Sequence, residues 1–329
     1  MEQMEDKPEF ESRLDLSVLQ GKLDAMRAEI GKVLVGQQEM VDMLLVSILS
    51  NGHVLLEGVP GVAKTLTAKL LAKVIKADFS RIQFTPDLMP SDVLGTSIFN
   101  QKKTEFEFKP GPIFSNIILI DEINRAPAKT QAALFEVMEE RQVTVDGETR
   151  KMTEPYFVVA TQNPIEQEGT YRLPEAQLDR FLFKLTVGYP SIDQEMNILI
   201  NPHEQKVAVD LETVQPVLSP SDIAEFKKVV GQVHVEQEVL KYIAEIVAAT
   251  RKHVSLILGA SPRASVSILV ASKAFAAMNG RDFVTPEDVK FIAVPVMRHR
   301  VILTPESEME GISSDEVIKE IIDKVEVPR

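Results

Sequence analysis

The chain of 329 residues has no cysteine, and that absence removes a disulfide framework, a thiolate metal site and a cysteine nucleophile at once. Long apolar runs are missing too. No segment approaches the roughly 18 uninterrupted apolar residues of a membrane span, and the N-terminal MEQMEDKPEFESRLD is acidic without an apolar core. Neither export nor membrane insertion is signalled, so a cytoplasmic protein is expected. Positive charge is in short supply: 36 Lys and Arg stand against 49 Asp and Glu, a formal net charge of −13. General attraction to nucleic acid or anionic membrane is thereby disfavoured, although a local basic patch is not excluded. The histidines, His53, His203, His234, His253 and His299, show no paired ligand spacing, so no protein-held structural metal is expected.

What is present is an ordinary globular composition, 44% hydrophobic, in a chain long enough for about two domains. Residues 1–12 read as a charged leader. Apolar residues then recur at helical spacing from Leu14 to Ile30, and a second amphipathic helix runs through Met40, Met43, Leu44 and Ile48. Strands are expected at 54–57, 81–85, 117–120, 156–160 and 183–187, with helices at 64–75 and 129–141 between them. The run Ile117, Ile118, Leu119, Ile120 lacks polar alternation, which points to a strand covered on both faces and so to a parallel sheet. Two hairpins decorate this core. One carries Thr104, Phe106 and Phe108 and is expected to close at Pro110-Gly111, and the other turns at Asp146-Gly147. After Gly188-Tyr189-Pro190 every periodic segment reads as helical, with starts at Ser219-Pro220, Thr285-Pro286 and Ser313. The division expected is an α/β domain over 13–190 and a smaller all-α domain over 191–329.

The stretch HVLLEGVPGVAKTLT, His53 to Thr67, carries the strongest chemical signal. A short buried strand opens through a turn rich in Gly and Pro directly onto a helix, the order of a phosphate-binding loop. Glycines let backbone N–H groups curl around a phosphate, a lysine reaches the outer phosphates, and a neighbouring hydroxyl ligates Mg²⁺. Gly58, Gly61, Lys64 and Thr65 occupy those places, within a binding segment completed by Val59, Pro60, Val62, Ala63 and Leu66. Ala63 stands where a second glycine is usual, and helical dihedrals are expected for it.

Polar residues at two later strand ends complete a hydrolytic set. Asp121 would hold Mg²⁺ through its waters beside Thr65, Glu122 would activate the attacking water, and Asn163 would help place that water. Arg180 and Arg263 would meet the negative charge developing on the phosphates. Arg263 lies in the first turn of the helix that opens at Ser261-Pro262, where the helix dipole disfavours a cation. That local cost invites a functional explanation.

In this order the motifs resemble those of the MoxR-type AAA+ ATPases. GVPGVAKT corresponds to Walker A, ILIDEINRA to Walker B, ATQNP to sensor 1, EGTYRLPEAQLDRF to the segment bearing the arginine finger and GASPRA to sensor 2. The resemblance covers about residues 20 to 300. It implies a P-loop core with a five-stranded parallel sheet and a helical lid, ATP and Mg²⁺ at their junction, and a homo-oligomeric ring, usually hexameric. It further implies that the turn Val35-Gly36-Gln37 lies against adenine, that Arg180 reaches a neighbouring subunit's γ-phosphate, and that Arg263 acts within its own subunit. Arg172 stands where the group's GTY segment has proline, and reads either as a second inter-subunit arginine or as a surface change.

The function this implies is hydrolysis of ATP to ADP and phosphate, coupled in chaperone-like fashion to remodelling or maturation of a partner complex. Partners with a von Willebrand factor A domain are common in the group. The alternatives are the ATPase subunit of a magnesium-chelatase-like complex and a nucleic-acid motor, for which Lys102, Lys103, Arg150 and Lys151 on the hairpins are the basic candidates. Lys129 and Gln131 read as part of a solvated helix face. The client, the stability of the ring without nucleotide and the order of the leader are not written in the sequence.

Overall fold

The computed structural model describes residues 14–59, 61–164, 171, 173–196, 199 and 211–328. The leader, Pro60 and Arg172 therefore lie outside the described residues. The centre of the fold is a five-stranded, all-parallel sheet in the order β2-β5-β8-β1-β9, with β1 at Val54–Gly58, β2 at Phe79–Gln83, β5 at Ile117–Asp121, β8 at Phe157–Gln162 and β9 at Phe183–Val187. The two hairpins, β3 (Gly95–Asn100) with β4 (Glu105–Pro110) and β6 (Gln142–Val145) with β7 (Glu148–Lys151), stand outside it.

The apolar runs are explained by what covers each face. In β5, Ile117 and Leu119 join one buried cluster while Ile118 and Ile120 join another, and Phe157 and Val159 part from Val158 and Ala160 in the same way along β8. Successive side chains of a strand point to opposite faces, so a run with no polar alternation serves two layers. Helix α1 (Ser17–Gly31), α2 (Gln38–Leu49) and α3 (Lys64–Val74) lie on the first face. On the second face lie α4 (Pro90–Leu94) and α5 (Ala128–Glu140), while α6 (Glu175–Leu178) follows at the rim. The helices change face on either side of β1, and such switch points at the carboxyl ends of strands are where open α/β sheets place ligands.

Beyond β9 come α7 (Pro220–Gly231), α8 (Gln237–Thr250), α9 (Pro262–Met278), α10 (Pro286–Met297), α11 (Pro305–Met309) and α12 (Ser314–Lys324). Three of these begin with capping boxes as read from sequence: Ser219 with Asp222, Thr285 with Asp288 and Ser313 with Glu316. The region is not wholly helical. A two-stranded ribbon of β10 (Leu256–Leu258) and β11 (Ile302–Leu303) ties two of its loops together, too short to leave a periodic signal.

Three other expectations shift. Strand β2 begins and ends two residues earlier than 81–85, because its ladder pairs Phe79 with Ile117 and Gln83 with Asp121. The first hairpin turns between Asn100 and Glu105, with Thr104 at φ 56°, and Pro110-Gly111 is where it rejoins the core. Helix α2 is buried almost all round, from Met40 to Leu49, since it packs against β9, α7 and α9 together. One continuous cluster thus links α1, α2 and the sheet to the later helices.

Candidate functional site

The loop after β1 has the geometry a phosphate cradle requires. Gly61 is left-handed at φ 86°, and a Cβ at Gly58 would come within 2.5 Å of the Val187 carbonyl oxygen, so neither position suits a larger residue. Ala63 also adopts left-handed dihedrals, φ 61° and ψ 17°, not the helical ones expected. The usual glycine at this place avoids that strain, and alanine bears it. Lys64 folds back so that Nζ donates to the Gly58 carbonyl at 2.5 Å, bracing the loop across its mouth. Burial pulls this ammonium below its ordinary pKa, and the carboxylates of Asp121, Glu122 and Glu57 pull it back up.

A cavity of about 420 Å³ opens beside the loop. Gly61, Val62, Ala63, Lys64, Thr65 and Leu66 line one wall, and Asp121, Glu122 and Asn163 line the other with Arg81, Gln83 and Thr161. The carboxyl ends of β1, β2, β5 and β8 thus converge, as the sequence implied for three of them. The Thr65 hydroxyl and the Asp121 carboxylate are hard oxygen donors in one cavity, a set that suits Mg²⁺ shared with substrate phosphates.

The second wall is a hydrogen-bonded lattice that the motifs did not reveal. Asp121 Oδ2 accepts from Arg81 Nε at 2.6 Å, and Asp121 Oδ1 accepts from the Thr161 hydroxyl at 3.1 Å. The same hydroxyl oxygen accepts the Glu122 backbone N–H at 3.1 Å. Glu122 sits at φ 58°, ψ 50°, a strained setting for a glutamate, and its Oε2 accepts from Gln83 Nε2 at 2.8 Å and pairs with Arg125 Nε at 3.1 Å. Sequence could have pointed to Arg81 and Gln83 only through their two-residue spacing, which puts both on one face of β2. Gln131, read as solvated, is instead buried and donates to the Ile123 carbonyl at 3.1 Å, fixing the start of α5 beside Glu122.

A second cleft, about 850 Å³, lies on the other flank of the loop. Gly36 and Gln37, the end of β9 and the faces of α10 and α12 line it, with Met40, Met43, Phe291 and Val294 among its apolar residues. Val187 belongs to this lining and also touches Gly58, so the two spaces flank one loop. Val35 is half-buried just before the Gly36 turn.

Arg180 and Arg263 are brought to each other and not to the phosphate cavity. Both converge on Glu139, Arg180 through Nε at 3.3 Å and Arg263 through Nη2 at 2.5 Å, while Arg180 Nη1 also donates to the Phe135 carbonyl. Their cavity, about 370 Å³, shares no lining residue with the phosphate cavity. Glu139 stands about 17 Å along α5 from the helix start beside Glu122. Arg263 thus pairs with Glu139 in this structure and does not line the phosphate cavity. The oddity at its helix start is also resolved: Ser261 does not cap α9 with its side chain but donates to Asp179, and Glu139 compensates the charge of Arg263.

On the hairpins, Lys103 pairs with Glu107, and Arg150 pairs with Glu148 while stacking 4.1 Å over the Phe108 ring. Two of the four basic candidates are thus neutralised locally. Among the described residues no helix is long and apolar enough to cross a membrane.

Comparison with known proteins gives a consistent picture. Residues 53–183 match the family described as "ATPase family associated with various cellular activities (AAA)", and residues 248–321 match the AAA lid domain. The chain is 50% identical to the uncharacterized protein YeaC of Bacillus subtilis (strain 168), with 91% of this chain and 92% of the relative covered. It is 45% identical to Chaperone MoxR1 of Mycobacterium tuberculosis, over 92% of this chain and 81% of that protein. A crystal structure from Cytophaga hutchinsonii, provisionally described as that of an ATPase, matches with a TM-score of 0.89 at 44% identity, covering 95% of this chain and 97% of the other.

Proposed function

The chain belongs to the MoxR family of AAA+ ATPases, and from that premise we propose that it hydrolyses ATP to ADP and phosphate at sites shared between neighbouring copies in a ring, usually of six. The observation that carries this reading is the separation of the charges. Lys64, Thr65, Asp121, Glu122 and Asn163 line one cavity, whereas Arg180 and Arg263 form a pair of their own on a different face. In a ring with head-to-tail contacts, one subunit's arginine pair meets the phosphates held by the next.

The phosphates would lie on the loop with Lys64 turning from Gly58 to meet them, and the base would extend into the cleft at Gly36 and the end of β9. Thr65 and Asp121 would hold Mg²⁺, which would supply charge neutralisation at the phosphates. Glu122 takes the proton of the attacking water, and Asn163 orients that water. Arg180 and Arg263 stabilise the charge that develops on the transferred group, a contribution of about 10³ to 10⁵ in rate for arginines in such positions. The turnover drives changes in a partner protein complex, with von Willebrand factor A domain proteins as the expected clients, acting in the cytoplasm. Neither a nucleic-acid motor nor a chelatase subunit is favoured by a specific observation, and the pairing of Lys103 and Arg150 weighs against the former.

Glu122→Gln tests the hydrolytic assignment. It keeps an oxygen that accepts from Gln83, so the side chain stays in place while the base is lost. Turnover should fall about 10² to 10⁴-fold, with binding of a fluorescent ATP analogue retained. Unchanged turnover would dismiss Glu122 as the base.

A further inference from the structure

Arg300 lies just past the end of α10, and its side chain is only 3% exposed. A fully buried guanidinium demands partners, and these are specific. Nε donates to Asp179 Oδ1 at 2.6 Å, and the two terminal nitrogens donate to the carbonyls of Phe181 at 2.7 Å, Leu182 at 3.2 Å and Asp179 itself at 3.2 Å. On its own side Arg300 is anchored to the Val296 carbonyl at 2.5 Å and the Ser267 hydroxyl at 3.3 Å. Four of six hydrogen bonds therefore grip the short segment 179–182 that contains Arg180. Burial draws this guanidinium below its ordinary pKa, and Asp179 offsets the effect.

The other oxygen of Asp179 completes the arrangement. Oδ2 accepts from the Ser261 hydroxyl at 3.2 Å, and Ser261 is the residue before α9, two positions from Arg263. One carboxylate thus touches both backbone segments that carry the paired arginines, and Arg300 holds that carboxylate. We propose that Arg300 is a positioning residue: through Asp179 and Ser261 it sets Arg180 and Arg263 side by side at a fixed spacing, and couples movement of the helical region to the arginine pair. This rests on the reading of Arg180 and Arg263 as the groups that serve a neighbouring subunit's phosphates.

A buried ion pair is a poor device for stability alone, because apolar residues of similar size often do as well or better. It is a good device for geometry, since the planar fork of arginine accepts few alternative arrangements. Displacement of a catalytic group by about 1 Å can cost roughly a hundredfold in rate, so placement of this kind has a measurable consequence.

The test uses the full chain with Arg300→Met, which keeps length and removes the fork, Asp179→Asn, which keeps size and removes charge, and Arg300→Lys. Steady-state ATP turnover and the Kd of a fluorescent ADP analogue are measured for each, and again for Arg300→Met combined with Arg180→Ala. Positioning predicts that Arg300→Met and Asp179→Asn lose about ten- to a hundredfold in turnover. It predicts an ADP Kd within about twofold of wild type and partial recovery in Arg300→Lys. In the Arg180→Ala background, Arg300→Met should add no further loss. A parallel fall in ADP affinity, or losses that multiply in the double variant, would reduce Arg300 to a strut and overturn the proposal. Should Arg300→Met fail to fold, Asp179→Asn combined with Arg180→Ala decides by the same comparison. If Arg180→Ala alone keeps full turnover, the reading of the arginine pair falls, and the proposal with it. If Arg180→Ala loses turnover while Arg300→Met keeps it, only the positioning role falls.

Discussion

Lowering the pH from about 7.5 to about 5 should cost the fold about 2 kcal/mol at His53 alone. His53 immediately precedes β1 and is buried, packed edge-on against Tyr156. Its Nδ1 accepts the Val158 backbone N–H at 3.1 Å, and its Nε2 faces the Met138 carbonyl at 3.1 Å and so must donate. The two neighbours fix one neutral tautomer, and a proton added at Nδ1 would set two N–H groups against each other. Burial, reinforced by the nearby charges of Arg141 and Lys227, lowers the pKa from the ordinary 6.5 to about 3.

Unfolding releases the ring to titrate near 6.5, so below that pH the unfolded chain binds a proton that the native chain refuses. The contribution is whole above pH about 6.5, and stability declines steadily as the pH falls toward about 3, by about 1.4 kcal/mol per unit. His299, buried against the Phe181 carbonyl beside Arg300 and held well below its ordinary pKa, adds a loss of the same sign. Glu154, paired with Lys227 and Arg141, and Glu316, which accepts from the Ser313 cap, are held below the ordinary 4.5, so their losses have the same sign and set in only below about pH 5. Urea unfolding followed by far-UV circular dichroism across the range measures the loss, with His53→Gln as the variant that cannot take the proton. Identical pH slopes for wild type and variant, or stability that rises on acidification, would refute the reasoning.

Other outcomes follow from the loop and its facing wall. Ala63→Gly should stabilise the nucleotide-free protein by about 0.5 kcal/mol in urea unfolding, since relief of a left-handed alanine slightly exceeds the added freedom of glycine in the unfolded chain. A loss of about 1 kcal/mol would mean that the position is not left-handed. Arg81→Gln removes the cation that competes for Asp121. The Mg²⁺ concentration giving half-maximal binding of a fluorescent ATP analogue should fall about fivefold, the equivalent of about 1 kcal/mol for a half-exposed pair, and a rise would show that Arg81 contacts phosphate instead.

The sheet was legible because its strands are short aliphatic runs whose polar ends fall where ligands bind, and β5 with Asp121 and Glu122 is the plainest instance. The capped starts at Ser219, Thr285 and Ser313 were legible for a local reason, each cap and its acidic partner being three residues apart. What sequence withheld was tertiary. Arg81 meets Asp121 across 40 residues, Arg300 meets Asp179 across 121 and Arg263 meets Glu139 across 124, and no periodicity records such pairs. The same holds for Ala63, whose dihedrals are imposed by the loop and not by its own preference. The motif at GASPRA located Arg263 in the chain but not its partner, since Glu139 lies far away in sequence on α5.

The most direct measurement mixes two defective forms. Lys64→Ala leaves a subunit unable to hold nucleotide but with its arginines intact, and the double variant Arg180→Ala, Arg263→Ala leaves the cradle intact without the arginines. Each form alone should lack ATP turnover. Mixed in equal amounts and allowed to reassemble, they should regain about a quarter of the wild-type rate, the share of contacts in a head-to-tail ring that join an intact cradle to an intact arginine pair. A mixture as inactive as its two components would contradict a site completed by the neighbouring copy.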